Sequence, residues 1–329
     1  MDYERIAERS LGGAVLTEEE GLQLLAAPLD DLPNMLDAAF RVRKATFGRR
    51  VQFHVLMNAK SGLCPEDCGY CSQSSVATSD IERYPLRSAG EIRDAARRAY
   101  QSGAHRFCIV ISGRGATDHE LDDVTRAVQA IKTSVPIEVC CSLGLLDRDK
   151  AQRLKQVGVD RVNHNLNTSE RHYAAICSTH AYADRVATVE AVQTAGLSTC
   201  SGVLAGMGES DQDLVDVARA LRALRVDSVP VNFLNPIPGT PLAETHVLTP
   251  WRCLKILCLF RFLLPKTEIR VAGGREVNLR SLQPLALYPG NSLFINGYLT
   301  TGGQSAADAV AMVQDLGFEV DRLPSPHPV

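Results

Sequence analysis

Three cysteines, Cys64, Cys68 and Cys71, stand in a C-x3-C-x2-C spacing within the run Cys64-Pro65-Glu66-Asp67-Cys68-Gly69-Tyr70-Cys71. Proline and glycine make the run turn-prone, so three thiols are gathered on one short loop. Thiolates on spacings this tight hold iron–sulfur clusters. A cubane cluster has four irons, and three thiolates leave one of them open. An open metal position is where a metal does chemistry on something it binds. Zinc is the competing occupant. A structural zinc site wants four nitrogen or sulfur ligands, however, and the nearest histidine in sequence, His54, falls in a strand-like segment. An odd cysteine count, a crowded loop and no sign of secretion argue against a disulfide.

A second set of cysteines lies in strand-like segments further on: Cys108 in Phe107-Cys108-Ile109, Cys140 and Cys141 in Val139-Cys140-Cys141-Ser142, and Cys200 in Thr199-Cys200-Ser201. Neighbours on a strand face opposite ways, so only one of Cys140 and Cys141 can look inward. Taken singly, each is an ordinary buried small hydrophobe. Taken together, inward-facing cysteines on three strands converge. Glu268-Ile269-Arg270-Val271 adds Arg270 in an apolar setting, where a guanidinium needs an acceptor or an anion. Asn163, Asn165 and Asn167 alternate, which puts three amides on one strand face, and buried amides must be paired. Cys177, Cys253 and Cys258 read as packing residues, and Cys141 as facing a helical layer.

The chain has 329 residues, 45% of them hydrophobic, enough for one large core. A net charge of −3 and a pI of about 6.3 argue against binding nucleic acid. No apolar run reaches membrane-spanning length, since residues 251–264 are interrupted by Arg252, Lys255 and Arg261. The charged start, Met1-Asp2-Tyr3-Glu4-Arg5, leads into no signal-peptide core. With ten cysteines, that points to a reducing cytoplasm.

The elements that must position these residues begin with a helical extension over 1–50. In it, Thr17 and Glu20 form a capping box, and Asp31-Leu32-Pro33 opens a second helix. Strands are then expected at 51–58, 105–111, 136–142, 160–167, 198–204, 228–234, 268–273 and 291–296. Helices are expected at 88–102, 119–133, 147–157, 181–195, 211–225, 249–264 and 276–287. This alternation predicts parallel βαβ units and an α/β fold, a (β/α)8 TIM-type barrel over 51–323, with an open doubly wound sheet as the alternative. The cysteine loop follows the first strand, at the end of a barrel where function gathers. Residues 324–329 read as a disordered tail.

The loop closely resembles the signature of the radical S-adenosylmethionine (SAM) superfamily. That resemblance implies a 4Fe-4S cluster on Cys64, Cys68 and Cys71 whose open iron chelates SAM, with the Tyr70 backbone against the adenine. The likeness narrows to the biotin synthase family over most of the chain. It is carried by Asn58-Ala59-Lys60-Ser61-Gly62 through Cys71-Ser72-Gln73-Ser74, Arg106-Phe107-Cys108, Asn163-His164-Asn165-Leu166-Asn167-Thr168, Cys200-Ser201-Gly202, Val231-Asn232, Gly239-Thr240-Pro241-Leu242 and Arg270-Val271-Ala272-Gly273-Gly274-Arg275-Glu276. It implies a sulfurtransferase that inserts sulfur into dethiobiotin, with a 2Fe-2S cluster on Cys108, Cys140, Cys200 and Arg270 as the sulfur donor. By the same resemblance, Asn165, Asn167 and Arg185 contact SAM, and Asn165 and Asn232 contact dethiobiotin. Gly202, Gly206-Met207-Gly208-Glu209 and Ser112-Gly113-Arg114-Gly115 back the cofactor, with Gly206 and Glu209 among its contacts. Asn167 stands where many relatives carry aspartate. The resemblance also implies a homodimer, and flavodoxin or ferredoxin as electron donor. A guanidinium has no free lone pair, so chemistry alone makes Arg270 a donor to a sulfide or a carboxylate rather than a metal ligand.

Two other functions fit parts of the pattern. A lipoyl synthase-like enzyme or a mutase would share the first loop, but lipoyl synthases place a second cysteine set near the N-terminus, and residues 1–50 contain none. A non-catalytic iron–sulfur protein would leave the asparagine row without a purpose.

Overall fold

A computed structural model describes residues 1–323; the tail at 324–329, expected to be disordered, lies outside the described residues. The strands are β1 (Arg50–Lys60), β2 (Arg106–Ile111), β3 (Glu138–Ser142), β4 (Arg161–Asn163), β5 (Ser198–Cys200), β6 (Val203–Ala205), β7 (Ser228–Phe233), β8 (Glu268–Val271), β9 (Ser292–Phe294) and β10 (Glu319–Val320). Neighbours pair in parallel in the order β1-β2-β3-β4-β5-β7-β8-β9, β6 pairs with β7, and β9 returns to β1. The sheet is therefore closed, with β5 and β6 as two pieces of one stave. This is the (β/α)8 barrel expected from the alternation. β10 pairs in parallel with the first two residues of β1, a pairing the sequence did not reveal.

The helices are α1 (Tyr3–Leu11), α2 (Glu18–Ala26), α3 (Leu32–Phe47), α4 (Ala89–Gln101), α5 (Asp118–Ser134), α6 (Arg148–Gln156), α7 (Glu170–Tyr173), α8 (Tyr182–Thr194), α9 (Asp211–Ala223), α10 (Pro250–Leu263), α11 (Arg275–Leu279) and α12 (Ala306–Asp315). Capping boxes start several of them: Thr17 with Glu20, Ser88 with Glu91, Thr117 with Glu120 and Ser210 with Asp213. The helix expected over 276–287 stops at Leu279 and continues as a 3-10 turn, Arg280–Leu287, which holds Pro284, a residue without an amide hydrogen to donate.

One apolar cluster joins Ile6, Leu24, Met35 and Val42 to Val215, Leu257 and Phe260. The first three helices therefore bury their apolar faces on α9 and α10, and the Ser10 hydroxyl donates to the Phe262 carbonyl at 2.6 Å. A second cluster packs α4, α5 and α6 on β2 and β3 and contains Cys141. Among the described residues, no helix is long and apolar enough to cross a membrane.

The break between β5 and β6 falls at Ser201-Gly202. A Cβ on Gly202 would sit 2.0 Å from the Pro230 carbonyl oxygen, so only glycine lets the two backbones approach. We expect Gly202→Ala to destabilise the barrel by roughly 3 kcal/mol, read as a lower urea midpoint. An unchanged midpoint would show that the break tolerates a side chain.

Candidate active site

Strand alternation stacks the lumen in layers. At the N-terminal floor lie Arg106, Glu138, Arg161, Ser198, Ser228 and Glu268, one from each of β2, β3, β4, β5, β7 and β8. Two residues further along the same strands come Cys108, Cys140, Asn163, Cys200, Pro230 and Arg270. Cys108 and Cys140 are register partners, and Pro230 pairs with Arg270. Cys140 lines the lumen, whereas Cys141 packs into the apolar layer outside the sheet.

A cavity of about 190 Å³ opens on this layer, lined by His54, Arg106, Cys108, Cys140, Asn232 and Arg270 among others. Cys200 is buried just beyond its wall, 3.6 Å from Arg270 Nη1 and 3.2 Å from Asn163 Nδ2. Cys108 and Cys140 are joined by a hydrogen bond. The hydrogen bond from Cys108, and then the guanidinium groups of Arg106, Arg270 and Arg161, draw Cys140 down, while that same bond and burial push Cys108 up. Arg270 Nε is buried without a hydrogen-bond partner.

Above it, at the C-terminal mouth, a second cavity of about 220 Å³ is lined by Cys64, Cys68, Tyr70, Cys71, Asn163, Asn165, Asn167 and Arg185 among others. Ser142, Asn163 and Asn165 line both cavities, so the two abut. All three loop thiols are free, and burial raises each of them. Metal binding at this loop would therefore release protons.

β4 ends at Asn163, four residues earlier than expected. The chain then turns, and Asn167 adopts a left-handed φ of +69°, which asparagine tolerates better than most residues. All three asparagines still reach the upper cavity. Asn163 Nδ2 donates to Asn165 Oδ1 at 3.0 Å, Gly202 N to Asn165 Oδ1 at 3.1 Å, and Asn167 Nδ2 to Tyr70 Oη at 2.6 Å. Arg185 is buried, not solvated. Its Nη1 donates to the Asn165 carbonyl at 2.8 Å, its Nη2 faces His180 Nε2 at 2.8 Å, and its Nε donates to Tyr173 Oη.

Asn232 reaches only the lower cavity, with its amide clamped between the Val203 carbonyl at 3.1 Å and the Gly273 amide at 3.0 Å. Gly206 and Glu209 line neither cavity. The Glu209 carboxylate instead accepts from the amides of Gly206 and Met207, at 2.6 and 2.7 Å, and closes the turn after β6. Both carboxylate oxygens are thus taken up by the backbone of its own turn.

Cys177, expected to pack, lies 3.7 Å from Cys68 and 3.2 Å from both His180 Nδ1 and Asp67 Oδ1. Around it, Asp67 accepts from the Ser178 and Thr179 amides at 3.0 and 3.2 Å. Glu66 accepts from Thr179 Oγ1 at 2.6 Å and from the His180 ring. This network ties the cysteine loop to residues 177–180.

The floor was also not foreseen. Glu138, reached by His105 and then Arg106, is held down to about 2, against an ordinary value of 4.5. A depressed folded value stabilises the fold fully above pH 4.5, and that contribution is lost as pH falls from there toward 2. We expect the urea midpoint to drop across that window, and to drop less in Glu138→Gln. Parallel declines in the two proteins would remove Glu138 from the account.

Residues 60–221 match the model of the Radical SAM superfamily, and residues 230–319 that of the Biotin and Thiamin Synthesis associated domain. Methylornithine synthase superposes with a TM-score of 0.84 at 20% identity, over 96% of this chain and 97% of that one. The FeFe-hydrogenase maturase HydG from Carboxydothermus hydrogenoformans gives 0.83 at 19%, over 98% and 80%. These likenesses show the fold, and the superfamily match makes it that of a radical SAM enzyme.

The sequence relatives are more specific. A biotin synthase of Anoxybacillus flavithermus is 51% identical over 99% of both chains. One of Geobacillus kaustophilus is 52% identical over 98% of this chain and 97% of its own, and one of Bacillus subtilis strain 168 is 50% identical over 97% and 95%. The chain belongs to the biotin synthase family. It is an enzyme, a sulfurtransferase, and its cofactors are SAM, a 4Fe-4S cluster and a 2Fe-2S cluster. The residues present fit those groups: free thiols face each cavity, and the buried, unpartnered His164 Nε2 and Arg270 Nε lie on residues that line the upper and lower cavities respectively.

Proposed function

We propose that Cys64, Cys68 and Cys71 hold the 4Fe-4S cluster, that Cys108, Cys140, Cys200 and Arg270 hold the 2Fe-2S cluster, and that dethiobiotin lies between the two. The single observation that supports this most is the abutment of two thiol-bearing cavities on one asparagine wall. When bound, these groups supply hydrogen abstraction from unactivated carbon and the sulfur that replaces the hydrogen. No general base can do this, because such C–H bonds carry no acidic proton.

The chain's own residues bind, orient and exclude water. Arg185 keeps its charge at the cavity wall through bonds to Tyr173 and the Asn165 carbonyl, and there it suits the carboxylate of SAM. Tyr70 and Asn167 brace one another on the wall that would hold the adenine end of SAM. An amide at Asn167 both donates and accepts, so it meets a ribose hydroxyl in place of an aspartate. Asn165 and Asn232 present amides toward the ureido group of dethiobiotin, each pre-oriented by backbone bonds. Leu56, Val110, Phe294 and Leu299 keep the lower cavity dry. Gly206 and Glu209 shape the turn behind this wall and are left out of the contact set.

The enzyme takes its electrons from a reductant. Resemblance to the family supports a flavodoxin or ferredoxin in that role, and also supports a homodimer. Ten free cysteines support residence in the cytoplasm. We read residues 1–50 as a helical extension of the barrel at 51–323, since the extension shares the barrel's apolar core. An anaerobic assay with SAM, dethiobiotin and a reductant tests the function. It should yield biotin, with one SAM cleaved for each C–H bond opened. SAM cleavage without biotin would overturn the assignment of substrate.

A further inference from the structure

The barrel floor carries a charge cluster that the roles above do not use. Glu268 is buried at the start of β8, and the groups bonded to its carboxylate are all donors. Oε1 accepts from Arg270 Nη2 and from Ser292 Oγ at 2.9 Å. Oε2 accepts from Arg161 Nη1 at 2.6 Å and Arg106 Nη1 at 3.2 Å. His54 Nε2 lies 3.3 Å from Oε1. Further out, Arg106 Nε donates to Glu138 at 2.9 Å, and Arg161 Nε to Ser198 Oγ at 3.0 Å.

Arg106, Glu138, Ser198 and Glu268 each stand two positions before Cys108, Cys140, Cys200 and Arg270, so the charged layer lies directly beneath the thiol layer. Apolar residues would fill such a floor at least as stably, since buried ion networks add little net stability. The arrangement at Arg270 shows a more specific use. Its Nη2 donates to Glu268 and, at 3.0 Å, to Ser228 Oγ, which occupies both of that nitrogen's hydrogens. Its Nη1 is left facing Cys200 at 3.6 Å.

We propose that Glu268 is a positioning residue for the sulfur-donating site: it clamps Arg270 so that Nη1 faces the thiols, and its negative charge offsets the three guanidinium groups around them. This rests on the reading that Cys108, Cys140, Cys200 and Arg270 hold the 2Fe-2S cluster. Glu268→Gln keeps the shape but turns an amide N–H toward an arginine, and it leaves one more net positive charge beside the cluster in a medium of low dielectric. Reduction adds negative charge to a cluster, so a more positive surrounding favours the reduced form.

The test is a redox titration of the 2Fe-2S signal, followed by electron paramagnetic resonance, in anaerobically reconstituted wild-type enzyme and Glu268→Gln. The potential of the variant should move upward and its line shape should change, while the 4Fe-4S cluster at the far end of the barrel keeps its potential. The charge-balanced double variant Glu268→Gln/Arg161→Gln should return the potential toward wild type. Should Glu268→Gln fail to fold, Arg161→Gln alone carries the test with the opposite sign, a downward shift. A potential and line shape unchanged from wild type would overturn the proposal. Absence of any 2Fe-2S signal in the wild type would overturn the assignment of the second cluster, and the proposal with it.

Discussion

Replacing Cys108, Cys140 and Cys200 together with alanine will leave an enzyme that still cleaves SAM and makes no biotin. The three thiols lie one layer above the barrel floor, on β2, β3 and β5, and none belongs to the upper cavity. Their loss would take the three thiols we propose as ligands from a pocket whose remaining polar groups are arginine, asparagine, serine and histidine, a set that does not retain an iron–sulfur cluster. The loop at the mouth is built by other contacts, those of Glu66 and Asp67 with residues 178–180, and stays intact. The absorption of the smaller cluster should vanish while reductive cleavage of SAM persists within a few-fold of wild type. Because the alanines are smaller, we also expect a stability cost of a few kcal/mol, which a urea titration separates from the spectroscopic loss. Survival of both clusters in the triple variant would contradict the ligand assignment.

Replacing Cys68 with alanine should have the opposite signature: no 4Fe-4S cluster, no cleavage of SAM and no product, with the 2Fe-2S absorption retained. Cys68 is the most buried of the three loop thiols and sits beside Cys177. That neighbour makes the variant informative, because Cys177 could serve as a substitute ligand when Cys68 is gone. The double variant Cys68→Ala/Cys177→Ala removes that possibility. Iron counting on both proteins checks the prediction, and SAM cleavage in the double variant would show that Cys68 is not a ligand.

Much of the barrel was legible because its signals are local. Period-two strands, helices of ten to fifteen residues and capping boxes repeat along the chain, and they placed most elements within two or three residues. Closure of the sheet follows from eight such units, which no single segment shows. The split of one stave at Gly202 was not legible, because it depends on the approach of Pro230 from the next strand. The convergence of Cys108, Cys140, Cys200 and Arg270 could be foreseen from strand alternation, and the choice of Cys140 over Cys141 agrees with the faces observed.

What escaped were groups whose meaning is tertiary. Cys177 sits in an apolar sequence context yet meets Cys68 across 109 residues. Arg185 was expected at SAM from resemblance, but its burial against Tyr173 is a contact that its helical sequence context does not show. Glu209 was expected at the cofactor and is spent on its own turn. The floor did leave a signal: charged residues at 106, 138, 161 and 268, each two positions before a lumen residue. A strand interior rarely carries such charges unless they are paired.

Mössbauer spectroscopy of the anaerobically reconstituted, iron-57-labelled wild-type protein tests the central claim most directly. The account predicts two sets of signals in one chain, those of a 4Fe-4S and of a 2Fe-2S cluster, with the second set alone lost in the Cys108, Cys140 and Cys200 variant. A wild-type spectrum with one cluster type, at full iron and sulfide loading, would contradict it.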